Sequence, residues 1–384
     1  MDKKKTIIIF INGYLPAKKY GGPVTSVSNL LENLCDAYDI RIISNNHDFQ
    51  EKTILLGIHE GWNEVGKAKV LYLSEKEYSY KNFKKILAKI NADLVYLSSV
   101  FSYGINFPAI RAAKDLNIPV LLAPRGEICE NALKLGQTKK KIFLMAIRFT
   151  RFFQNIYFHA TSDEEMLSTQ NNLHVPKNKI FLLPNMHGLK KTVEKNIKEK
   201  GFLKIIFVSR INQKKNLLHA IEVVSQMKYK GYFDIYGTIE QKGYWEKCKA
   251  AINMNSSSIA IKYCGAINPG ESQEVFAKYD CFLFPTLSEN YGHVIVEAML
   301  AGCPMILSKN TTPWDDIHGN GGFVLDLNDK KNFIRTLNEI AEMDNLQYEI
   351  LRKKIDDYAK NKLKTGQLKQ EYICMFETIT RSKI

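Results

Sequence analysis

The segment from residue 279 to residue 308 constrains the fold more than any other part of the chain. It has the sequence YDCFLFPTLSENYGHVIVEAMLAGCPMILS, in which an apolar run ends at Pro285 and a polar loop follows. From Gly292 the apolar residues take a helical spacing that stops at Gly302. Because a short, uniformly apolar strand is typical of a parallel sheet buried on both faces, the segment predicts strand, loop, helix and strand of an α/β sheet.

Two carboxylates stand out in this segment, Glu289 in the loop and Glu297 in the second turn of the helix. At 100° per residue, Glu297 falls between apolar Leu300 and Ala301 on the helical wheel. A charge there costs several kcal/mol unless something pairs with it. Two interpretations stay open: a carboxylate satisfied by an internal Arg or Lys, or one that accepts hydrogen bonds from the hydroxyls of a bound sugar. The helix start after a parallel strand favours a ligand, because its free N–H groups attract anionic or hydroxylated groups.

The same residues resemble a known motif. Glu289 and Glu297 with seven residues between them, Gly292 inside and EAMLAGCP closing the segment resemble the E-x7-E motif of glycosyltransferase family 4. These are retaining nucleotide-sugar glycosyltransferases with the GT-B fold. The resemblance implies two doubly wound, Rossmann-like α/β lobes facing a cleft, with a C-terminal helix crossing back to the first lobe. It also implies transfer of a sugar from a UDP- or GDP-sugar to a saccharide hydroxyl with retention of configuration.

The remaining chain predicts an alternation of strands and helices, which is typical of a doubly wound parallel sheet. The predicted elements of the first half are strands 6–11, 40–44, 70–73, 94–97 and 120–123 and helices 81–90 and 107–115.

A length of 384 residues suits two domains. We expect an acceptor-side lobe at 1–188 joined by a helix at 365–384, and a nucleotide-sugar lobe at 202–364. The Lys-rich residues 190–201 have the composition of an interdomain linker.

Two places in the first lobe are candidate ligand sites. Gly21 and Gly22 follow the first strand, where backbone N–H groups can approach a phosphate closely, although a turn without a ligand has the same signature. By resemblance they match the glycine-rich loop across the cleft from the donor phosphates. Arg125 stands where family members often carry a His. Its guanidinium is suited to a phosphate or an acceptor oxygen, or it is a structural Arg paired with Glu127 or Glu130.

The second lobe opens with a strand that is followed by Arg210 and Lys215. This pair resembles the R-x4-K diphosphate clamp of the family, and two fixed cations beside a helix start offset a leaving diphosphate without a metal. Solvated loop cations are the alternative. The resemblance also assigns backbone contacts with the nucleotide base to the turn that contains Ile267. It extends only weakly to Asn185, and His187 is expected to be a solvated loop residue.

The resemblance gives the remaining site residues their roles. Glu297 is expected to hold ribose hydroxyls. Glu289, with the backbone of Asn290, Tyr291 and Gly292, is expected to position the donor sugar and to stabilise positive charge at its anomeric carbon. Because the chain contains no D-x-D triplet, we expect neither a metal nor another cofactor.

The composition restricts the classes of ligand and surface that the protein is expected to bind. A net charge of +14 favours phosphate-rich ligands or anionic lipid surfaces, and no zinc-finger, RNA-recognition or helix-turn-helix pattern supports nucleic-acid binding. The seven cysteines form no C-x-x-C pair, so we expect reduced thiols. No apolar run reaches the roughly 18 residues that span a bilayer, and the chain begins with a strand rather than a signal peptide. The expected location is therefore the cytoplasm.

One basic segment, KKKIFLMAIRFTRFF, begins at Lys139 and ends at Phe153. A helical wheel places most of its apolar residues on one side and Lys140, Arg148 and Arg151 on the other, with Leu144 and Ile147 interrupting the basic side. The helix packs on the lobe's own sheet or docks on the inner leaflet of the membrane, and the two interpretations can hold together. In the second case the acceptor is expected to be a polyprenyl-diphosphate-linked saccharide of bacterial O-antigen or capsule synthesis.

Other functions fit the sequence less well. A nucleotide-sugar epimerase or a phosphorylase on the same fold needs further acid/base groups or a cofactor lysine that no motif marks. A dehydrogenase is disfavoured because no G-x-G-x-x-G follows the first strand. A non-catalytic module that binds membrane surfaces through its basic charge is the remaining alternative.

Overall fold

Short segments, most of them rich in apolar residues, form the strands of a first sheet in the computed structural model, which describes residues 3–381 except 18, 130–132, 134–136, 151, 256–257 and 269. These strands are β1 (Thr6–Ile11), β2 (Asp39–Asn45), β3 (Trp62–Val65), β4 (Ala68–Leu73), β5 (Leu94–Ser98), β6 (Val120–Ala123), β7 (Tyr157–Ala160) and the shorter β8 (Ile180–Leu182). Their spatial order within the described residues is β3-β4-β2-β1-β5-β6-β7-β8. All neighbours pair in parallel except β3 and β4. The chain leaves β1 in one direction and later returns at β5 on its other side, which creates a ligand-binding crevice at their carboxyl ends.

Helices cover both faces of this sheet, as parallel connections require. They are α1 (Gly22–Leu34), α2 (Tyr80–Ile90), α3 (Tyr103–Asp115), α4 (Gln137–Thr150) and α5 (Asp163–Leu173). The apolar residues of β1 point alternately to two different core clusters, one on each side of the sheet. The sheet therefore has no solvated face at its centre.

A second, fully parallel sheet follows in the chain. Its strands are β9 (Phe202–Val208), β10 (Lys230–Tyr236), β11 (Ile259–Gly265), β12 (Cys281–Phe284), β13 (Met305–Ser308) and β14 (Gly322–Leu325). Its helices are α6 (Leu217–Val224), α7 (Lys242–Asn253), α8 (Ser272–Phe276), α9 (His293–Leu300), α10 (Lys330–Glu342) and α11 (Asn345–Leu363). The described strands are ordered β11-β10-β9-β12-β13-β14, so that β9 and β12 are neighbours at the centre.

The chain divides into two units, Met1–Met186 with Thr365–Ile384, and His187–Lys364. The final helix, α12 (Thr365–Arg381), belongs to the first unit. There the hydroxyl of Tyr372 donates to the carbonyl of Pro184 at 3.0 Å. The fold class, two α/β units each built on a parallel sheet, is confirmed. Within the described residues no helix is both long and apolar enough to cross a bilayer.

Residues 190–201 are not the free linker that their composition predicts. Lys190 Nζ lies 2.7 Å from Asp356 Oδ1, and the backbone N–H of Asn196 donates to the carbonyl of Ala277 at 3.1 Å. Lys198 is buried and its ammonium donates to backbone carbonyls. The second unit therefore begins at His187, about fifteen residues before the predicted boundary at 202.

Candidate functional site

Three loops of the second unit are joined at the carboxyl ends of β9, β12 and β13. The backbone N–H of Leu287 donates to the carbonyl of Lys214 at 2.9 Å, and the hydroxyl of Thr286 donates to the same carbonyl at 3.2 Å. The hydroxyl of Ser308 in turn donates to the carbonyl of Thr286 at 2.5 Å. These bonds make one platform of three adjacent strand ends, the usual ligand position in an open parallel sheet.

Lys215 and Glu289 form an ion pair on this platform. Lys215 is buried, and its Nζ lies 5.6 Å from the centroid of the Phe284 ring. Burial lowers the pKa of the Lys215 ammonium, and the neighbouring Glu289 carboxylate opposes that shift. The backbone N–H of Glu289 donates to the carbonyl of Thr311 at 2.7 Å, which fixes the loop position of the carboxylate. The structure thus joins two predicted site residues whose pairing the motifs did not indicate.

Arg210 lies in the same loop as Lys215 but is exposed. Its Nη1 lies 2.9 Å from Glu240 Oε1, and the second oxygen of Glu240 accepts a hydrogen bond from Asn212. The side-chain oxygen of Asn212 accepts from the backbone N–H of Lys215 at 3.1 Å and caps the short 3₁₀ turn Gln213–Lys215. Asn212 therefore links the two cations: it caps the turn that ends at Lys215 and bonds to the carboxylate that contacts Arg210.

Beside this platform, the close approach of the ends of β9 and β10 requires a glycine. Gly237 has φ 146°, and a Cβ at this position would overlap the carbonyl oxygen of Ser209. Only a residue without a side chain lets the ends of β9 and β10 approach so closely. Ile267 lies in the loop after β11 and is half-buried. Its predicted backbone contact with a nucleotide base stays a prediction.

The start of α9 offers backbone donors. Gly292 precedes the helix with φ 74°, and no side chain caps the first turn. The indole N–H of Trp314 donates to the carbonyl of Tyr291 at 2.6 Å, which holds the preceding residue in place. Burial raises the pKa of the Tyr291 hydroxyl, whereas Asn290 is exposed. Since the first N–H groups of a helix need partners, this end can receive an anionic or hydroxylated ligand.

Glu297 is half-buried in α9, and its pKa is strongly shifted. Burial raises its pKa to about 7, and the hydroxyl of Ser272 beside it opposes the shift. Among the described residues no Lys or Arg forms an ion pair with it. The interpretation as an internally paired carboxylate is therefore not supported, and a carboxylate that lacks a cation is suited to accept from ligand hydroxyls.

In the first unit, Gly21 and Gly22 form the start of α1. Gly21 has φ 67°, and Gly22 is the first residue of the helix, followed by Pro23. No side chain caps this helix. The predicted glycine loop thus leads directly into the helix, whose first residue, Gly22, is exposed.

Arg125 follows β6 with φ 57°, an unusual value for a residue other than glycine. Its guanidinium donates to the Tyr96 hydroxyl at 3.2 Å, to the Ser98 hydroxyl at 3.4 Å and to the side-chain oxygen of Asn185. All three partners are neutral. A fixed, half-buried cation held by neutral groups keeps its charge available for an anionic ligand.

The structural alternative for Arg125, a pair with Glu127, is wrong. The Glu127 carboxylate instead accepts from the backbone N–H groups of Val100 at 2.8 Å and Phe101 at 3.2 Å and from the Ser99 hydroxyl. Burial raises the pKa of Glu127, and these donors oppose the shift. Glu130 lies outside the described residues.

Both His159 and His187 are buried. His159, which no motif marked, is fully buried between the Tyr96 hydroxyl at 2.7 Å and the Leu183 carbonyl at 2.9 Å. Burial and the nearby Arg125 charge lower its pKa to about 3, so that it stays neutral. His187 is not a solvated loop residue, because it is buried.

The basic segment that begins at Lys139 lies largely in α4, and the side that packs on the unit is not the apolar side that the packing alternative requires. Leu144 and Ile147, expected to interrupt the basic side, are buried. The exposed residues are Ile142 (61%), Met145 (68%) and Phe149 (90%). Arg148 is also exposed, whereas Arg151 and the side chains of Lys139 and Lys141 lie outside the described residues. The helix therefore packs on the unit and also presents an apolar strip, defined as Ile142, Met145 and Phe149.

Within the described residues no cluster of three His, Cys, Asp or Glu side chains has the spacing of a metal site.

Comparison with known proteins shows a similarity of sequence in the second unit and a similarity of fold along the chain. Residues 190–362 match the model of the family described as glycosyl transferases group 1. HepE of Anabaena, solved with UDP and glucose, superposes with a TM-score of 0.70 at 13% identity over 97% of this chain and 100% of that chain. TarM of S. aureus, solved with UDP and saccharide ligands, superposes with a TM-score of 0.69 at 12% identity over 97% and 99%.

One relative is similar along nearly the whole length. An uncharacterised 41.2 kDa protein in the cps region of Klebsiella pneumoniae is 22% identical over 382 residues, which is 93% of this chain and 97% of that protein. The second unit therefore carries a group 1 glycosyltransferase domain, and the chain has the GT-B fold of glycosyltransferases.

Proposed function

We propose that the protein is a retaining glycosyltransferase that moves a sugar from a UDP- or GDP-sugar to a hydroxyl of a saccharide. The observation that carries the proposal is the platform of the second unit. There the Lys215–Glu289 pair, Arg210 and the uncapped start of α9 surround one set of strand ends. The UDP bound to HepE supports a nucleotide donor.

Each group has a role in the proposed reaction. The bond between the anomeric carbon and the donor diphosphate breaks, and a bond from that carbon to the acceptor oxygen forms. Arg210 and Lys215 stabilise the negative charge on the departing diphosphate, with help from the N–H groups at Gly292. The acceptor proton passes to the leaving phosphate, so that no side chain is required as general base. Glu289 faces the positive charge that develops at the anomeric carbon, and Glu297 accepts from the ribose hydroxyls.

The first test is a transfer assay. The protein is incubated with a panel of UDP- and GDP-sugars and a lipid-linked saccharide extract, and products are identified by mass spectrometry. We expect one nucleotide sugar to give a product larger by one sugar with release of nucleoside diphosphate. Conversion of the nucleotide sugar without an acceptor would indicate an epimerase, and dependence on inorganic phosphate a phosphorylase.

We expect transfer to persist in EDTA. Two fixed cations and a helix start already offset the charge that a chelated metal would carry. Rates measured with EDTA and with added Mg²⁺ or Mn²⁺ should agree within about twofold. A strict requirement for either metal would contradict the proposed clamp.

We further propose that the acceptor is a polyprenyl-diphosphate-linked saccharide of bacterial capsule or O-antigen synthesis, reached from the inner leaflet through α4. The apolar strip and the exposed Arg148 support this proposal, because interfacial helices combine apolar residues with basic ones. The cps-region relative supports a role in capsule synthesis.

Sedimentation with anionic liposomes tests the membrane proposal. Changing Lys140, Lys141, Arg148 and Arg151 to Gln should abolish co-sedimentation at low salt, since each basic residue near an anionic surface contributes about 1 kcal/mol. Changing Phe149 to Ser should weaken binding at all salt concentrations, because burial of its exposed ring is independent of salt. UDP affinity should stay unchanged in both variants. Failure of the wild-type protein to sediment would contradict the proposal.

A further inference from the structure

The loop that carries Arg210 and Lys215 is fastened to the loop that follows β10. The backbone N–H of Ile211 donates to the carbonyl of Thr238 at 2.8 Å, and the carbonyl of Ile211 accepts from the N–H of Glu240 at 3.1 Å. Ile211 itself is fully buried. Because these bonds join backbone to backbone, they hold residue Glu240 beside the two cations independently of its side chain.

The Glu240 carboxylate uses both of its oxygens on this loop. One oxygen lies 2.9 Å from Nη1 of Arg210, and the other accepts a hydrogen bond from the side-chain amide of Asn212. Within the described chain no other group accepts a hydrogen bond from the Arg210 side chain. The orientation of this exposed guanidinium therefore depends on Glu240, and the N–H groups that Glu240 leaves unused are available for a phosphate.

The Asn212 side chain extends the same arrangement to Lys215. Its oxygen accepts from the backbone N–H of Lys215 at 3.1 Å, while its nitrogen donates to Glu240. Rotating the amide by half a turn would place its oxygen against a carboxylate and its NH2 group against an N–H, so that only one orientation satisfies both partners. Asn212 is buried, which raises the cost of losing either bond. One carboxylate thus orients Arg210 directly and the turn that ends at Lys215 through Asn212.

The Glu240 carboxylate is better explained by geometry than by stability or by charge. The side chains of Arg210 and Glu240 are 44% and 35% exposed, and an ion pair with that exposure contributes little to the free energy of unfolding. Its charge opposes the binding of a diphosphate, because a carboxylate beside the two cations repels phosphate oxygens. Donors that are fixed in advance, in contrast, stabilise developing negative charge without a further cost of ordering.

We infer that Glu240 and Asn212 are positioning residues for the two cations of the proposed reaction. Glu240 aligns the guanidinium of Arg210 for the donor diphosphate, and Asn212 fixes the backbone from which the Lys215 side chain extends. Neither positioning residue is assigned a contact with the reacting atoms. The inference rests on the proposed function, because it concerns the groups that hold the departing diphosphate, and it adds two residues that no motif marked.

Exchanging the two side-chain groups tests the inference. Glu240→Gln leaves an NH2 group facing another donor, and Asn212→Asp leaves two carboxylates facing each other. The double variant, Asn212→Asp with Glu240→Gln, again has one carboxylate and one amide, with their hydrogen bond reversed and the net charge unchanged. An aspartate at position 212 can still cap the turn that ends at Lys215, since Asp and Asn are equally good caps.

The affinity for a nucleoside diphosphate relative to the monophosphate reports on the two cations, because only the diphosphate has the second phosphate group. Calorimetry with UDP and UMP, and with GDP and GMP, measures this ratio, and transfer rates are measured beside it. We expect each single variant to lower the affinity ratio and the transfer rate about tenfold. The double variant should recover both to within about threefold of the wild type.

Glu222 supplies the matched control. It forms an ion pair with Lys330 in the same unit, and the two side chains are 39% and 48% exposed, close to the values for Glu240 and Arg210. Glu222→Gln should change neither the affinity ratio nor the transfer rate. Melting temperature verifies that every variant is folded.

The sign of the Glu240→Gln effect decides between position and charge. If Glu240 acts only through its charge, the two single variants change the affinity ratio in opposite directions, and Glu240→Gln raises it. That result, unchanged ratios in both single variants, or a double variant no better than the single ones would each overturn the inference. Failure of the proposed function gives another pattern, in which the wild-type protein transfers no sugar while the affinity ratio still responds to the variants as expected.

Discussion

Replacing Lys215 by Met is expected to slow transfer at least about 100-fold and to lower the free energy of unfolding by about 3–5 kcal/mol. The side chains of Lys215 and Glu289 are only 9% and 19% exposed, so that removal of the ammonium leaves an uncompensated carboxylate in a poorly solvated position. Transfer falls for a second reason, because the departing diphosphate loses one of its two fixed cations. Urea denaturation and initial-rate measurements check the two effects separately.

A second substitution distinguishes the structural role of Lys215 from its chemical role. In Lys215→Met with Glu289→Gln both charges are gone, and stability should return to within about 1 kcal/mol of the wild type. Transfer should stay low, because neither the cation for the diphosphate nor the carboxylate beside the sugar is present. Recovery of transfer in the double variant would contradict the clamp and assign the pair to stability alone.

Arg210 supplies the matched control. Its pair with Glu240 is more exposed, at 44% and 35% for the two side chains. Arg210→Met should therefore change stability by less than about 1 kcal/mol, yet slow transfer about 100-fold. Unchanged turnover in this variant would remove Arg210 from the site.

The sequence predicts those parts of the site that are local. The strand before Pro285, the turn at Gly292 and the position of Glu297 in the helix all follow from apolar spacing within one segment. The glycine turn at Gly21 follows from the same kind of pattern. These features can be predicted because each depends on residues that are neighbours in the chain.

The parts that sequence reasoning missed depend on which elements become neighbours in space. The pairing of Lys215 with Glu289 requires β9 to lie beside β12, and strand order is not written in any one strand. The wheel does not decide which side of α4 packs on the unit, because that depends on contacts with other elements, such as the contact of Phe143 with Tyr103 of α3. The attachment of residues 190–201 likewise depends on Asp356, far along the chain.

The second large effect concerns pH. Affinity for the nucleotide is expected to be constant above pH 8 and to fall about tenfold by pH 6, because the pKa of Glu297 is about 7 in the empty protein. Ribose hydroxyls donate to the carboxylate and stabilise its charged form, so that the ligand binds the deprotonated protein and must displace a proton below pH 7. Calorimetry across this range in two buffers of different ionisation enthalpy measures both the affinity and the released proton.

Glu297→Gln should abolish that pH dependence and weaken nucleotide binding by about 1.5–3 kcal/mol at pH 8.

The raised pKa of Glu297 also affects the stability of the folded protein. Glu297 binds a proton in the folded protein at pH values between its ordinary pKa of 4.5 and about 7, where the unfolded chain does not. The free energy of unfolding of the wild type should therefore fall as pH rises through this window and level off above it, and this contribution should vanish in Glu297→Gln. If nucleotide affinity stays flat between pH 6 and 8 while the contribution to stability is present, Glu297 is a buried acid that does not contact the ribose.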